Sequence, residues 1–202
     1  DKAHEKLVKT AAKLTTIRKN AAKKLESQIK QELSELNFLS VDFRISFKNT
    51  DKPSVNGMDY VEYLISVNPG EEPKPLAKVA SGGELSRIML AIKTVLADMD
   101  EIDTLIFDEI DTGISGRTAQ MVANKLDRIA SCRQVICITH LPQIAAMAKK
   151  HFGIVKNIRD NKTVTSITEL DHEGSVMELA RMLGGDSITQ TAVSNARELK
   201  RY

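Results

Sequence analysis

The first 36 residues contain neither glycine nor proline, and Leu7, Ala11, Leu14, Ile17, Ala21, Leu25, Ile29, Leu33 and Leu36 recur at steps of three and four. Such a stripe is one face of a long helix, and its spacing suits a coiled-coil seam. The stripe is thin and rich in alanine, so the helix needs something to pack on. A second helix and an ordinary seat on a globular body are both open. The chain starts inside this helical pattern, which leads us to expect a piece of a longer protein.

After Asn37 the period changes from helical to two. Leu39, Val41, Phe43, Ile45 and Phe47 alternate with polar residues, and Val61, Tyr63, Ile65 and Val67 do so again. Lys48–Gly57 lies between them and holds Pro53 and Asn56-Gly57, so the two runs predict an antiparallel hairpin. Asn68-Pro69-Gly70 ends it, and residues 71–75 read as an extended linker.

From residue 81 helical and strand patterns alternate. Helices are expected over 82–99, 116–131, 142–150, 173–183 and 187–199, and strands over 103–108, 134–139, 152–158 and 163–170, with a polar turn at Asp160–Lys162. The run at 134–139 is almost wholly apolar, as a parallel strand covered on both faces should be. The expected class is α/β, with a mostly parallel sheet and helices, preceded by a long helix and a hairpin. The expected division is 1–36 and 37–202.

The overall charge of +2 excludes little, but residues 1–30 carry nine Lys or Arg against Asp1, Glu5 and Glu26. A basic helix either faces nucleic acid or is simply solvated. Cys132 and Cys137 form no C-x-x-C pair. Cys137 is expected to be a small core residue, and a reducing compartment is expected. No signal-peptide pattern and no apolar run of membrane-spanning length occurs.

Two stretches carry the chemistry. Ser81-Gly82-Gly83-Glu84 has the spacing of a capping box, and the plain reading is a helix start. Two glycines there also let a ligand approach the backbone, where free N–H groups suit a phosphate. Thr104–Phe107 leads into Asp108-Glu109 at the C-terminal end of a strand, the edge where ligands bind in open α/β sheets. One acid could hold hydrated Mg²⁺ and the other could orient a water. Asp111-Thr112-Gly113 follow at once. Val135–Thr139 delivers His140 at the same kind of edge, whereas His4, His151 and His172 read as surface residues. No Gly-x-x-x-x-Gly-Lys-[Ser/Thr] loop, no Cys/His metal cluster and no hydrolase elbow occurs.

In order and spacing, Ser81–Glu84, Asp108-Glu109, Asp111 and His140 resemble the signature motif, Walker B, D-loop and switch histidine of an ABC-type ATPase head. With the helix before it, the chain resembles the C-terminal lobe of SMC-like chromosome and repair proteins. Within them, Lys78–Arg87, Phe107–Gly116, Thr139–Gln143 and Met182–Gly185 are similar to a bacterial branch that repairs DNA double-strand breaks. Ala80 and Glu84 depart from the leucine and glutamine frequent in ABC signatures.

The resemblance implies ATP and Mg²⁺ as cofactors. It implies Asp108 on the metal, Glu109 polarising the hydrolytic water and His140 on the γ-phosphate. Ser81, Gly82, Gly83 and Glu84 would face a nucleotide held by a second head, and Asp111 would lie at the head–head contact. Implied partners are an N-terminal Walker A lobe of the same protein, a second head, DNA and a recombinase, with no membrane, in the bacterial cytoplasm at the nucleoid. The chain alone is expected not to hydrolyse ATP. Other outcomes are a non-catalytic DNA-binding or structural module, or the head of another SMC-like protein.

Overall fold

The computed structural model describes residues 2–78, 81–97, 99–159, 162–185 and 187–200, with the side chains of Ile158 and Arg159 excepted. Val79, Ala80 and two residues of the expected turn, Asp160 and Asn161, lie outside the described residues. The chain divides into two compact units, 1–101 and 102–202.

The first unit begins with α1 (Lys2–Glu35). Asn37 takes φ +67 and closes it. Phe38 N–H donates to Leu33 O (3.1 Å) and Asn37 N–H to Ser34 O (3.1 Å), a left-handed helix stop with buried Leu33 and Phe38 beside it. Next come β1 (Asp42–Ser54) and β2 (Gly57–Ser66), an antiparallel pair. Leu39, expected in the strand, sits in the turn before it and is 85% exposed. β1 also runs further than expected, to a tight turn at Val55-Asn56, and its register slips between Asn49 and Ser54. That slip accommodates Pro53, which has no N–H for a ladder. Gly57 follows the turn with φ +97, a conformation that glycine adopts without steric cost. The expected linker ends in a short strand, β3 (Lys74–Pro75), on the far edge of β2.

α1 lies on this hairpin. Its packed face runs through Ala11, Thr15, Arg18, Ala22, Ile29 and Leu33, so the apolar stripe read from the sequence is out of phase in its middle. Ala21 and Ile17 are exposed, because Arg18 and Thr15 occupy the contact positions and bond the hairpin. Phe43 (0% exposed) and Ile65 are the sheet's side of this core, and Phe43 meets Tyr63 at 5.7 Å between ring centroids. α2 (Gly82–Val95) also packs on α1 and stops earlier than expected, which leaves Met99 exposed in the following turn.

The second unit holds β4 (Thr104–Phe107) and β5 (Gln134–Cys137), which pair in parallel, joined by α3 (Gly116–Ala130). α4 (Pro142–Ala146) is shorter than expected. β6 (His151–Arg159) and β7 (Lys162–Leu170) form an antiparallel hairpin. α5 (His172–Gly184) and α6 (Gln190–Leu199) follow, α6 starting at the N-cap Thr189. Ala145, Ala146, Val176, Leu179, Ala180, Ala192 and Ala196 form the core of α4, α5 and α6. Lys200 Nζ donates to the carbonyls of Ala146 (3.2 Å) and Ala148 (2.7 Å), which satisfies the open end of α4. Among the described residues the parallel pairing expected of the sheet is confined to β4 and β5, and no helix is long and apolar enough to cross a membrane.

Candidate functional site

In the second unit β4 and β5 end side by side, with Phe107 paired to Cys137. Both strands stop short of the polar residues that follow, so Asp108, Glu109, Thr139 and His140 all stand on loops at one edge of the pair.

The loop after β4 does not continue strand alternation. Glu109 adopts φ +56, a left-handed conformation that costs a non-glycine residue energy. Its N–H donates to Asp108 Oδ1 (2.9 Å), and its carbonyl accepts from Thr112 N–H (3.1 Å). Asp108 and Glu109 are both exposed, and the left-handed turn at Glu109 breaks the alternation of an extended strand. Ile110 (0% exposed) plugs the core beneath, and Asp111 is buried.

Asp111 is the knot of the site. Its Oδ2 lies 2.5 Å from Thr139 Oγ1, 2.7 Å from the backbone N of His140 and 2.9 Å from His140 Nδ1. Thr139 Oγ1 in turn accepts from Leu141 N–H (3.0 Å), just before Pro142 opens α4. One buried carboxylate therefore fastens the exit of β5 to the exit of β4. With Nδ1–H held by a carboxylate, His140 presents Nε2, and its side chain is 71% exposed. Asp111, expected at a head–head contact, is 3% exposed and engaged by three donors within this chain, and its contact with Nδ1 positions the His140 ring. Thr139 was missed as a site residue. Its position just past a strand end, two residues before the N–H from which it accepts, is the signal that could have found it.

Cys137, expected in the core, is half-buried. Burial chiefly, with the negative charges of Asp111 and Asp108, pushes its thiol up to about 12, so it stays neutral and unreactive. His151 is no free surface residue. Its Nδ1 lies 2.8 Å from the buried Ser175 Oγ, and burial, with Lys200 nearby, lowers its pKa.

The other motif belongs to the first unit. Ser81 is the N-cap of α2, and its Oγ accepts from Glu84 N–H at 3.4 Å. Gly82 is exposed, Gly83 is buried, and Ser81 and Glu84 are half-buried. One turn on, the Arg87 guanidinium lies over Phe38, 5.7 Å from its ring centroid.

No family model matches the chain. Solved structures define the class. The chain is similar to the Smc head domain with a coiled coil from Pyrococcus yayanosii, with TM-score 0.56 and 21% identity over 81% of this chain and 29% of that one. It is also similar to a chain from a study of ATP-driven dimerization and DNA-stimulated activation of SMC ATPases, with TM-score 0.52 and 20% identity over 86% of this chain and 98% of that one. The fold is that of an SMC head. Curated relatives narrow this to one family. The DNA repair protein RecN of Bacillus subtilis is 44% identical over 94% of this chain and 35% of its own length. RecN of Haemophilus influenzae is 43% identical over 98% and 36%, and RecN of Halalkalibacterium halodurans 46% over 94% and 34%. The chain belongs to the RecN family and spans about a third of the length of the relatives it matches.

Proposed function

We propose that this chain supplies the C-terminal lobe of a nucleotide-hydrolysing head in an SMC-like DNA repair ATPase, with 1–36 the foot of its coiled-coil arm. The observation that carries this is the fastening of two parallel strand exits by Asp111, with Asp108, Glu109 and His140 outside. Asp108 is a single exposed carboxylate, and no cluster of three or more His, Cys, Asp or Glu able to hold a metal occurs among the described residues. That donor set fits Mg²⁺, which is held by one or two carboxylates together with phosphate oxygens and water. Mg²⁺ would supply charge neutralisation at the phosphates. Glu109 polarises the attacking water, and His140 directs Nε2 at the terminal phosphate. Ser81 and Gly83, with Gly82 and Glu84, bring the N–H groups of α2 to a nucleotide on a second copy, and ATP is the ligand between two heads.

The expected partners are a Walker A lobe of the same protein, a second head, DNA and a recombinase, in the bacterial cytoplasm. The exposed Ile106, Ile136 and Ile138 are the surface offered to the Walker A lobe. Glu109→Gln in the longer protein carrying that lobe tests the reading. We expect retained ATP binding and turnover reduced at least ~100-fold, the scale of a lost general base. Turnover at the wild-type rate overturns the assignment of Glu109. ATP hydrolysis by this chain alone overturns the need for the second lobe.

A further inference from the structure

The hairpin covers one face of α1, and the opposite face has a pattern of its own. Lys2, Lys6, Lys9, Lys13, Thr16, Asn20, Lys24, Ser27 and Gln31 follow one another at steps of three and four, and all are exposed. At about 100° per residue this line lies opposite the contact line Ala11, Thr15, Arg18, Ala22, Ile29, Leu33. It contains no acid; Glu5 and Ile17 lie on its borders. Lys6, Lys9, Lys13 and Lys24 form no ion pair among the described residues, whereas Arg18 and Lys30, nearer the hairpin, are paired with Asp59 and Asp42.

We infer that this lysine face is a docking surface for the phosphate backbone of duplex DNA. This deepens the DNA part of the proposed function. Charge complementarity selects a polyanion. The face lacks aromatic residues, so it has no platform for stacking the bases of a single strand. It lacks the apolar side chains with which an amphipathic helix enters a membrane. Lysine provides point charges for phosphates, not the planar fork that reads a base edge, so contact is independent of sequence. From Lys2 to Lys24 the stripe is about 33 Å long, close to the ~34 Å of one duplex turn.

The test uses the 202-residue chain, a labelled random-sequence duplex and no nucleotide, with anisotropy measured across a potassium chloride series. Failure here is thus read separately from failure of the hydrolytic site. Lys6→Gln, Lys9→Gln and Lys13→Gln are combined in one variant, since glutamine keeps helix propensity. Lys149→Gln, Lys156→Gln and Lys162→Gln, three exposed lysines of the second unit, form a charge-matched control. The first variant is expected to lose about tenfold or more in affinity at low salt, with a log–log salt slope smaller by about 3. The control should stay within about twofold of wild type. Equal losses in both variants point to bulk charge and overturn the inference, as does absence of duplex binding by the wild type at low salt. Tighter stripe-dependent binding to phosphatidylserine vesicles, or to a single strand, overturns duplex DNA as the occupant.

Discussion

The two units each contain a strand pair with one apolar face against a helix, and they treat the other face differently. In the first, β1 and β2 place Phe43 and Ile65 under α1, and the helix is tied down by polar bonds: Ile45 N–H donates to Glu26 (2.7 Å), and Thr15 and Arg18 donate to Asp59. In the second, β4 and β5 turn Phe107 and Cys137 toward their own unit and leave Ile106, Ile136 and Ile138 at 68%, 45% and 50% exposure on the other side. Parallel strands normally have both faces covered, because their crossover helices lie over them. The first sheet is finished by its own helix. Among the described residues the second has the composition of a covered sheet and one covered face.

Truncations at the two sheets break that comparison most directly. Phe43→Ala removes a wholly buried ring and should cost about 3–5 kcal/mol in urea unfolding of the first unit. Ile136→Thr, on the open face, should change the second unit by no more than about 0.5 kcal/mol. A loss of several kcal/mol at Ile136 would mean that this face is already covered in solution.

The polar anchors sharpen it next. Asp111→Ala leaves three donors without their acceptor and should destabilise the second unit by about 2 kcal/mol. Asp108→Asn, at the exposed neighbour, should change stability little. The nitrogen shifts of His140 in NMR give a separate reading. Asp111→Asn should shift His140 away from the Nδ1–H tautomer, and an unchanged tautomer contradicts the positioning role.

In the first unit, Thr15 chiefly, then Arg18, holds the Asp59 carboxyl below the usual carboxylate range against the effect of burial. A lowered pKa in the fold makes the contribution complete above the unfolded value near ~3.9, and it is lost as pH falls through the folded value. The docking of α1 should therefore loosen in acid, read as faster amide exchange along α1. Thr15→Val should weaken docking by about 1 kcal/mol and reduce that acid dependence.

How far the sequence revealed all this varies by element. The helix, the hairpin and the alternation after residue 81 were legible because each period repeats long enough to be unambiguous. The phase of α1 was misread at Ile17 and Ala21 because Arg18 and Thr15, polar by composition, make the contacts. The end of β1 was misread because Pro53 and Asn56-Gly57 look like one long turn, while the ladder tolerates a slip around the proline. Asp108, Glu109 and His140 could be placed at strand ends. The inward turn of Asp111 could not, since it follows from the left-handed backbone at Glu109, which no local pattern announces. The seat of His151 on Ser175 was likewise invisible, because the two lie 24 residues apart.

The smallest effect separates the units by pH. His151 in the second unit is held below its ordinary pKa, first by burial, then by Lys200 on the turn after α6, with Glu178 on α5 opposing. For a base whose folded pKa is lowered, stability is complete above the unfolded value near ~6.5 and declines as pH falls through the folded value. The second unit should thus begin to weaken in mildly acidic solution, in a window above the one where the Asp59 anchor of the first unit fails. Unfolding midpoints measured from pH 8 to 4, with probes in each unit, should show this order. His151→Asn should flatten the upper part of the second unit's profile by less than about 1 kcal/mol, because the half-buried ring is exchanged for a side chain that does not titrate there. An unchanged slope in that variant would assign the loss to another group and remove His151 from the comparison.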